Sequence, residues 1–183
     1  MTGSRRGDVD ALLATTVPGA GGLVVLPFFA PAGERAPFVD PGARGQLLGV
    51  NLQSTRADVV RAACEGIAYA VRHCLESAGL SDQAQVFLSG GGVRSAEWRQ
   101  ILANVLQRPL ALARQPEAGA RGAAMAALAA AGRHVNVETW TRPDSIVEPR
   151  PELASHYDEG FGFYRHRLEA ARGQWAGPML TPG

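Results

Sequence analysis

The sequence predicts an α/β fold, and three observations carry this prediction. The chain has 183 residues, of which 46% are hydrophobic and 19% charged, a globular composition with enough length for a hydrophobic core. Short apolar runs alternate with longer stretches in which apolar residues recur every three or four positions. Glycines and prolines separate these segments. Because alternating strands and helices are typical of α/β sheets, we expect a parallel sheet with right-handed crossovers.

The first third of the chain predicts one helix and two strands. "DVDALLATT" at 8–16 has the pattern of the end of a helix, and "VPGAGG" ends it. "LVVLPFF" at 23–29 predicts a short buried strand or extended segment, and "QLLGVNL" at 46–52 predicts a strand. The loop between them is rich in proline and glycine, which predicts a stiff, shaped connection.

A long helix is predicted over residues 56–79. Thr55 or Ser54 can cap its start, Asp58 lies in the first turn, and Gly79 supplies the stop. The apolar positions that recur every three or four residues are Val59, Val60, Ala63, Ile67, Ala70, Val71, Cys74 and Leu75.

The remainder predicts two further strands and three helices. The strands are "AQVFLSG" at 84–90 and "RPLALAR" at 108–114, and the helices cover 95–106, 117–132 and 152–171. Residues 133–150 have the pattern of an irregular connection, and the tail from residue 173 is expected to fray. We divide the chain into a truncated helix and linker (1–22), a loop and strand (23–55), an α/β core (56–132), and a connection, C-terminal helix and tail (133–183).

Charge and cysteine usage exclude several classes of protein. The net charge is +1 and the basic residues are scattered, so no nucleic-acid or anionic membrane partner is expected. No apolar segment is long enough to span a bilayer and no signal peptide is evident, so we expect a cytoplasmic protein. Cys64 and Cys74 lie roughly 15 Å apart along one predicted helix, too far for a disulfide. The four histidines lack metal-ligand spacing, so no protein-bound structural metal is expected.

A glycine cluster follows the third predicted strand. Gly90, Gly91 and Gly92 lie between the apolar run "VFL" and the helix that starts near Ser95, at the sheet edge where ligands of α/β proteins bind. Glycines allow a close approach of the backbone to a phosphate or a flat ring. The cluster is neither a GxGxxG fingerprint nor a Walker A sequence, so a nucleotide site and a tight turn remain equally open on this evidence. A second glycine-containing helix start at 117–122 is expected to allow close packing and to leave a slot of adenine size.

Three blocks of the sequence resemble the FGGY carbohydrate kinases. They are "LPFFAPAGERAPFVDPGARGQLLGV", "GQLLGVNLQSTRADVVRAACEG", and "LSGGGVRSAEWRQILANVLQRPL" with "EAGARGAAMAALAAAG". The chain departs from the family pattern at Cys64, where a larger apolar residue is usual, and at Arg121, where leucine is common. The resemblance covers about residues 8–132.

The resemblance implies the ribonuclease-H-like lobe of the actin/hexokinase/Hsp70-like ATPases, incomplete here and with an extra C-terminal helix. Gly90, Gly91, Gly92 and Ser95 would line the adenosine of ATP, and Mg²⁺ would arrive with the nucleotide. The catalytic aspartate and the phosphate-binding hairpins of the family precede this region, so we assign no catalytic or metal-binding residue. Asp82, in "SDQ", is interpreted as an exposed turn residue.

Other polar residues each allow a structural interpretation beside the functional one. Ser95 is also a suitable N-cap, a role that contributes about 1 kcal/mol. Glu34 and Arg35 could border the cleft or form a surface ion pair. We interpret Glu65 as a semi-buried, paired carboxylate. Trp98 could edge the nucleotide pocket, but a tryptophan on an amphipathic helix is more often in the core. Asn104 is expected in a structural role.

The resemblance thus predicts the C-terminal, ATP-binding domain of a kinase that phosphorylates a pentulose such as xylulose or a related polyol. ATP and ADP would be its ligands, and the sugar would bind through the absent N-terminal lobe. A homodimer is a further expectation, because missing strands would leave an exposed sheet edge at which two copies can associate. The chain alone is expected to be inactive. A stand-alone actin-like nucleotide-binding or regulatory module, or the remnant of a truncated gene, remains the alternative.

Overall fold

The computed structural model describes residues 6–81, 83–113 and 117–175. Six helices and five strands occur in this part of the chain. In order, they are α1 (Arg6–Ala14), β1 (Val24–Leu26), β2 (Gln46–Leu48), α2 (Arg56–Ser77), β3 (Val86–Leu88), α3 (Ala96–Leu106), β4 (Leu110–Ala113), α4 (Ala118–Ala130), α5 (Val137–Thr141), β5 (Pro143–Val147) and α6 (Ala154–Trp175).

The α/β class is confirmed, but the expectation of one parallel sheet is wrong. β1 and β2 pair antiparallel in a sheet of two strands, with Val25 opposite Leu47. β3 and β4 pair parallel, and β5 joins β4 antiparallel in a second sheet with the order β3–β4–β5. A parallel pair needs a crossover that is usually helical, and no helix lies in the loop between β1 and β2. That loop therefore favours the antiparallel pair.

The prediction that residues 133–150 form an irregular connection is wrong for part of this stretch. They contain the short helix α5, which Asn136 caps through the amide of Thr139, and the edge strand β5. β5 begins at Pro143, a position that proline tolerates because the first residue of an edge strand need not donate to the ladder. Only "SIV" within it has a strand-like composition, which explains why its pattern was too short to predict.

The long helix α2 begins as the sequence predicts. Thr55 and Asp58 form a capping box, in which the Thr55 hydroxyl accepts from the Asp58 amide at 3.1 Å and the Asp58 carboxylate accepts from the Thr55 amide at 2.9 Å. Gly79 has φ +66°, the left-handed conformation that ends many helices. The helix packs against β1, α1 and α3.

The C-terminal helix α6 extends four residues further than predicted. It covers the main hydrophobic core, to which Leu13, Phe28, Tyr69, Ile101 and Leu110 belong. Its buried residues recur every three or four positions and are Tyr157, Phe161, Tyr164, Leu168, Ala171 and Trp175. The expectation that the tail frays from residue 173 is wrong for its first residues, because Trp175 is only 7% exposed and its ring packs on Phe28 and Phe38. Residues 176–183 lie outside the described part.

The predicted close packing of α4 does not occur. The described structure buries none of its residues, and a Cβ added at Gly119 or Gly122 would meet no atom within 4 Å. Arg121 donates to the carbonyl of Trp140 and so ties α4 to α5. The small side chains of α4 leave an apolar helix exposed on the surface.

Candidate functional site

The glycine cluster forms a tight turn between β3 and α3. Gly90 has φ +85°, which favours glycine, and Gly91–Arg94 make one turn of 3-10 helix before α3 starts. Gly92 lies within this turn. The chain thus reverses from strand to helix over a few residues, at the carboxyl end of β3.

The surface above this turn is open. A Cβ built on Gly90 or Gly91 would meet no atom within 4 Å. Glu117 precedes α4, the helix that follows β4 along the chain. Residues 114–116, which connect β4 to that helix, lie outside the described part. The turn after β3 thus presents an open backbone surface, and the adenine slot stays a prediction.

Ser95 caps α3, as its alternative interpretation predicted. Its hydroxyl oxygen accepts from the Trp98 amide at 3.0 Å, and the hydroxyl donates to the Asp10 carboxylate. A hydroxyl has one proton and two acceptor lone pairs. Ser95 therefore has no proton left to donate, but it keeps one lone pair that can accept from a ligand.

Glu65 anchors a buried polar cluster that links three segments of the chain, namely the turn at 16–19, α2 and α6. It is 4% exposed, and its Oε1 accepts from Arg61 Nε at 2.9 Å, from the Gly19 amide at 3.1 Å and from the Tyr157 hydroxyl at 3.2 Å. Arg61 also reaches the Thr16 carbonyl at 3.4 Å. Burial, together with the charge of Glu65, raises the pKa of Tyr157 to about 12. The paired role predicted for Glu65 is confirmed, whereas its partner Tyr157 was not predictable from the sequence.

Three more of the residues singled out in the sequence contact other residues of the chain. Asn104 is 4% exposed, and its Oδ1 accepts from Gln100 Nε2 and from the Arg150 amide, each at 2.9 Å. Trp98 packs against the main core. Glu34 accepts from the Arg35 and Ala36 amides, and no ion pair between the Glu34 and Arg35 side chains occurs in the described structure. Asp82 lies outside the described residues.

The two cysteines are unpaired and half-buried. Burial raises the pKa of Cys64 to about 11 and also raises that of Cys74. Both thiols are therefore protonated at neutral pH, which makes them poor nucleophiles.

Over residues 6–81, 83–113 and 117–175, no group of three or more acidic, histidine or cysteine side chains could hold a metal ion. None of the helices in these ranges has the length and apolar character needed to cross a bilayer.

Comparison with known proteins supplies the family. Residues 4–131 match the FGGY family of carbohydrate kinases, C-terminal domain. The chain belongs to this family. An erythritol kinase from Brucella abortus is 31% identical over 161 residues, which are 85% of this chain and 31% of that protein. A glycerol kinase from Herminiimonas arsenicoxydans is 40% identical over 166 residues, which are 86% of this chain and 32% of that protein.

A solved structure confirms the fold class expected from the FGGY resemblance. The crystal structure of xylulose kinase from Rhodospirillum rubrum superposes with a TM-score of 0.79 at 34% identity, over 93% of this chain and 35% of that one. The fold is thus that of an FGGY kinase lobe, of the actin/hexokinase-like type. The chain spans about a third of the length of the relatives that it matches.

Proposed function

We propose that this FGGY domain is the ATP-binding lobe of a carbohydrate kinase that transfers the γ-phosphate to a hydroxyl of a pentulose such as xylulose or of a related polyol. The names of the relatives support this class of reaction, since they include a xylulose, an erythritol and a glycerol kinase. They also differ in their named substrates, so we assign a class of acceptor and no single sugar. We propose a cytoplasmic location, in keeping with its two free thiols.

The open glycine turn after β3 is the observation that carries the proposal. ATP supplies the phosphoryl group when bound. Gly90, Gly91 and Gly92 offer a surface without side chains at the carboxyl edge of parallel strands, where ligands of α/β proteins bind. A Cβ at Gly90 or Gly91 would meet no atom within 4 Å, so the backbone of this turn is open to a ligand.

Ser95 supports this turn from the α3 side. Its hydroxyl proton is already shared with Asp10, so we propose that Ser95 contacts the nucleotide only as an acceptor, from an exocyclic amine or a ribose hydroxyl. We propose that Mg²⁺ accompanies the nucleotide phosphates and that the aspartate that takes the proton of the acceptor hydroxyl belongs to the segment that precedes this lobe in the relatives. The residues of this chain then bind and orient the nucleotide.

Titration of Mg-ADP into the purified chain by calorimetry tests the proposal. The informative variant is Gly91→Val, because the structure gives Gly91 no left-handed φ and no neighbour for a new Cβ. Valine there is compatible with the fold and conflicts only with a ligand. The matched control is Gly173→Val on α6, where a Cβ also meets no atom within 4 Å. We expect Gly91→Val to weaken binding at least about tenfold, the effect of about 1.4 kcal/mol, and Gly173→Val to leave it unchanged.

Equal affinities of the two valine variants would contradict the assignment of the glycine turn to the nucleotide. An activity assay supplies the second arm. We expect the 183-residue chain to form no ADP from ATP with xylulose, erythritol or glycerol present. ADP formation that depends on one of these acceptors would show that the catalytic base lies within this chain. Nucleotide binding that persists in a longer protein without any acceptor-dependent turnover would instead favour a regulatory module.

A further inference from the structure

A cavity of about 370 Å³ lies between β1, α2 and α6. This volume is within the range of small-molecule sites in proteins. Its walls are mostly apolar and include Val25 from β1, Tyr69 from α2 and Phe163 from α6. It is thus a concave apolar site built on three elements, of the kind that binds small organic molecules.

One polar side chain in the cavity wall has an unused acceptor. Glu65 lines the cavity and is 4% exposed, and its Oε1 accepts all three of its hydrogen bonds, from Gly19, Arg61 and Tyr157. Within the described residues, Oε2 accepts none. Oε2 is also accessible from outside the protein. The side-chain nitrogen and oxygen atoms that are both fully buried and without a hydrogen-bond partner in the described structure belong to His73, Arg99, Tyr164 and Trp175, and Glu65 is not among them. This accessible, unpartnered acceptor therefore belongs to a buried carboxylate that lines the cavity.

Glycines keep the cavity open at its base. Gly19, Gly22, Gly66 and Gly160 all line it. A Cβ at Gly22 would meet no atom within 4 Å, whereas one at Gly160 would come within 2.1 Å of the Tyr69 hydroxyl. The backbone on the β1 side can thus approach a ligand closely.

The charge of the site favours a neutral donor over a cation. Arg61 already neutralises the Glu65 carboxylate, at 2.9 Å. A second cation would lose its hydration in the cavity and would find no unpaired negative charge there to compensate for that loss. Of the other ionisable lining residues, Glu159 and His156 are exposed, and burial raises the pKa of Tyr69, which keeps it neutral. Arg167 lies 4.7 Å from the Phe163 ring. A hydroxyl group can donate to Oε2 without bringing a charge into apolar surroundings.

We propose that this cavity binds a small neutral alcohol with a hydrocarbon body, whose hydroxyl donates to Glu65 Oε2 and whose body packs on Tyr69 and Phe163. This inference is independent of the proposed kinase activity, because it rests on the space between β1, α2 and α6 and not on the turn after β3.

Two probes that differ in one donor test the proposal on the intact chain. Benzyl alcohol can donate to Oε2, whereas benzyl methyl ether has nearly the same body and no donor. We titrate each into the isotope-labelled protein and follow the amide resonances of Gly19, Gly22, Gly66 and Gly160 by NMR. We expect saturable shifts at these four glycines and an affinity at least about tenfold higher for the alcohol, as for a hydrogen bond to a charged acceptor.

Two phenylalanine variants map the site without disturbing the core. Phe163 is 43% exposed at the cavity and Phe87 is 47% exposed on β3, so either is replaceable without loss of fold. We expect Phe163→Ala to weaken benzyl alcohol binding at least about threefold, through lost apolar contact, and Phe87→Ala to leave it unchanged. Equal affinities for alcohol and ether, shifts confined to other residues, the absence of saturable shifts, or equal effects of the two variants would each overturn the proposal.

Discussion

Glu65 and Arg61 form a buried ion pair at spacing i, i+4, and the same helix carries an exposed copy of that pair. Arg72 and Glu76 also lie four residues apart, at 3.0 Å, but Glu76 is 47% exposed at its side chain, against 5% for Glu65. Removal of one member of a buried pair leaves an uncompensated charge in the protein, whereas an exposed pair is screened by solvent. The two pairs therefore differ in their contribution to stability although their sequence pattern is identical.

We expect Glu65→Ala to lower the free energy of unfolding by about 3 kcal/mol or more, because Arg61 and the Gly19 amide lose their common acceptor. We expect Glu76→Ala to lower it by less than about 1 kcal/mol. Urea denaturation followed by circular dichroism measures both. Losses of similar size would show that the cluster around Glu65 is not a stabilising link between the segments that it joins.

At the residue scale, local roles could be predicted from the sequence and distant partners could not. The capping roles of Thr55, Asp58 and Ser95 depend on neighbours within three residues, so their spacing was sufficient. The partner of Glu65 at Tyr157 is 92 residues away, and the partner of Ser95 at Asp10 is 85 residues away. A single sequence contains no signal for such pairs.

The elements α2 and β1 pack in very close contact at Gly66. A Cβ at this position would lie 2.3 Å from the carbonyl oxygen of Val25, so a larger residue must push the helix away from the strand. We expect Gly66→Ala to destabilise the protein by about 2 kcal/mol, despite the higher helix propensity of alanine. Thermal or urea unfolding measures this change.

Gly162→Ala on α6 is the matched control. Its Cβ would meet no atom within 4 Å, so only helix propensity acts, and we expect a gain of roughly 0.5–1 kcal/mol. A gain at both positions would mean that α2 can move off β1 without cost, and that the close packing seen at Gly66 does not constrain the fold.

Among the elements, the periodicity of apolar residues predicted the long helices. It did not predict the strand β5 or the direction in which β1 and β2 pair, because both depend on contacts between strands. α2, α3, α4 and α6 have enough residues to show a 3.6-residue pattern, and all were predicted within a few residues of their ends. β5 has five residues, three of them exposed, and acquires its strand conformation from the ladder with β4. The antiparallel pairing of β1 with β2 likewise depends on a connection whose path is set by tertiary contacts.

At the scale of the whole molecule, one face of the sheet β3–β4–β5 packs against the hydrophobic core, whereas apolar side chains on its other face are exposed to solvent. Val86 and Leu88 pack against the main core. Phe87, Ala111 and Ile146 follow one another across β3, β4 and β5; the outer two are 47% and 52% exposed, whereas Ala111 between them is 1% exposed. The apolar helix α4 is exposed as well. Within the described residues β3 is an edge strand, since β4 is its single partner.

Exposed apolar side chains beside a sheet edge promote association between copies of a chain, because a second copy can bury the apolar area and supply hydrogen-bond partners to the edge. We expect the chain to self-associate as its concentration rises, and Phe87→Lys to shift it toward the monomer by placing a charge on this surface, at the edge strand β3. Phe163→Lys is the matched control, since Phe163 is exposed to a similar extent, 43% against 47%, on α6. Sedimentation velocity over a hundredfold range of concentration measures the distribution. A monomer throughout, or an equal response to both lysine variants, would show that this face of the second sheet is not where copies meet.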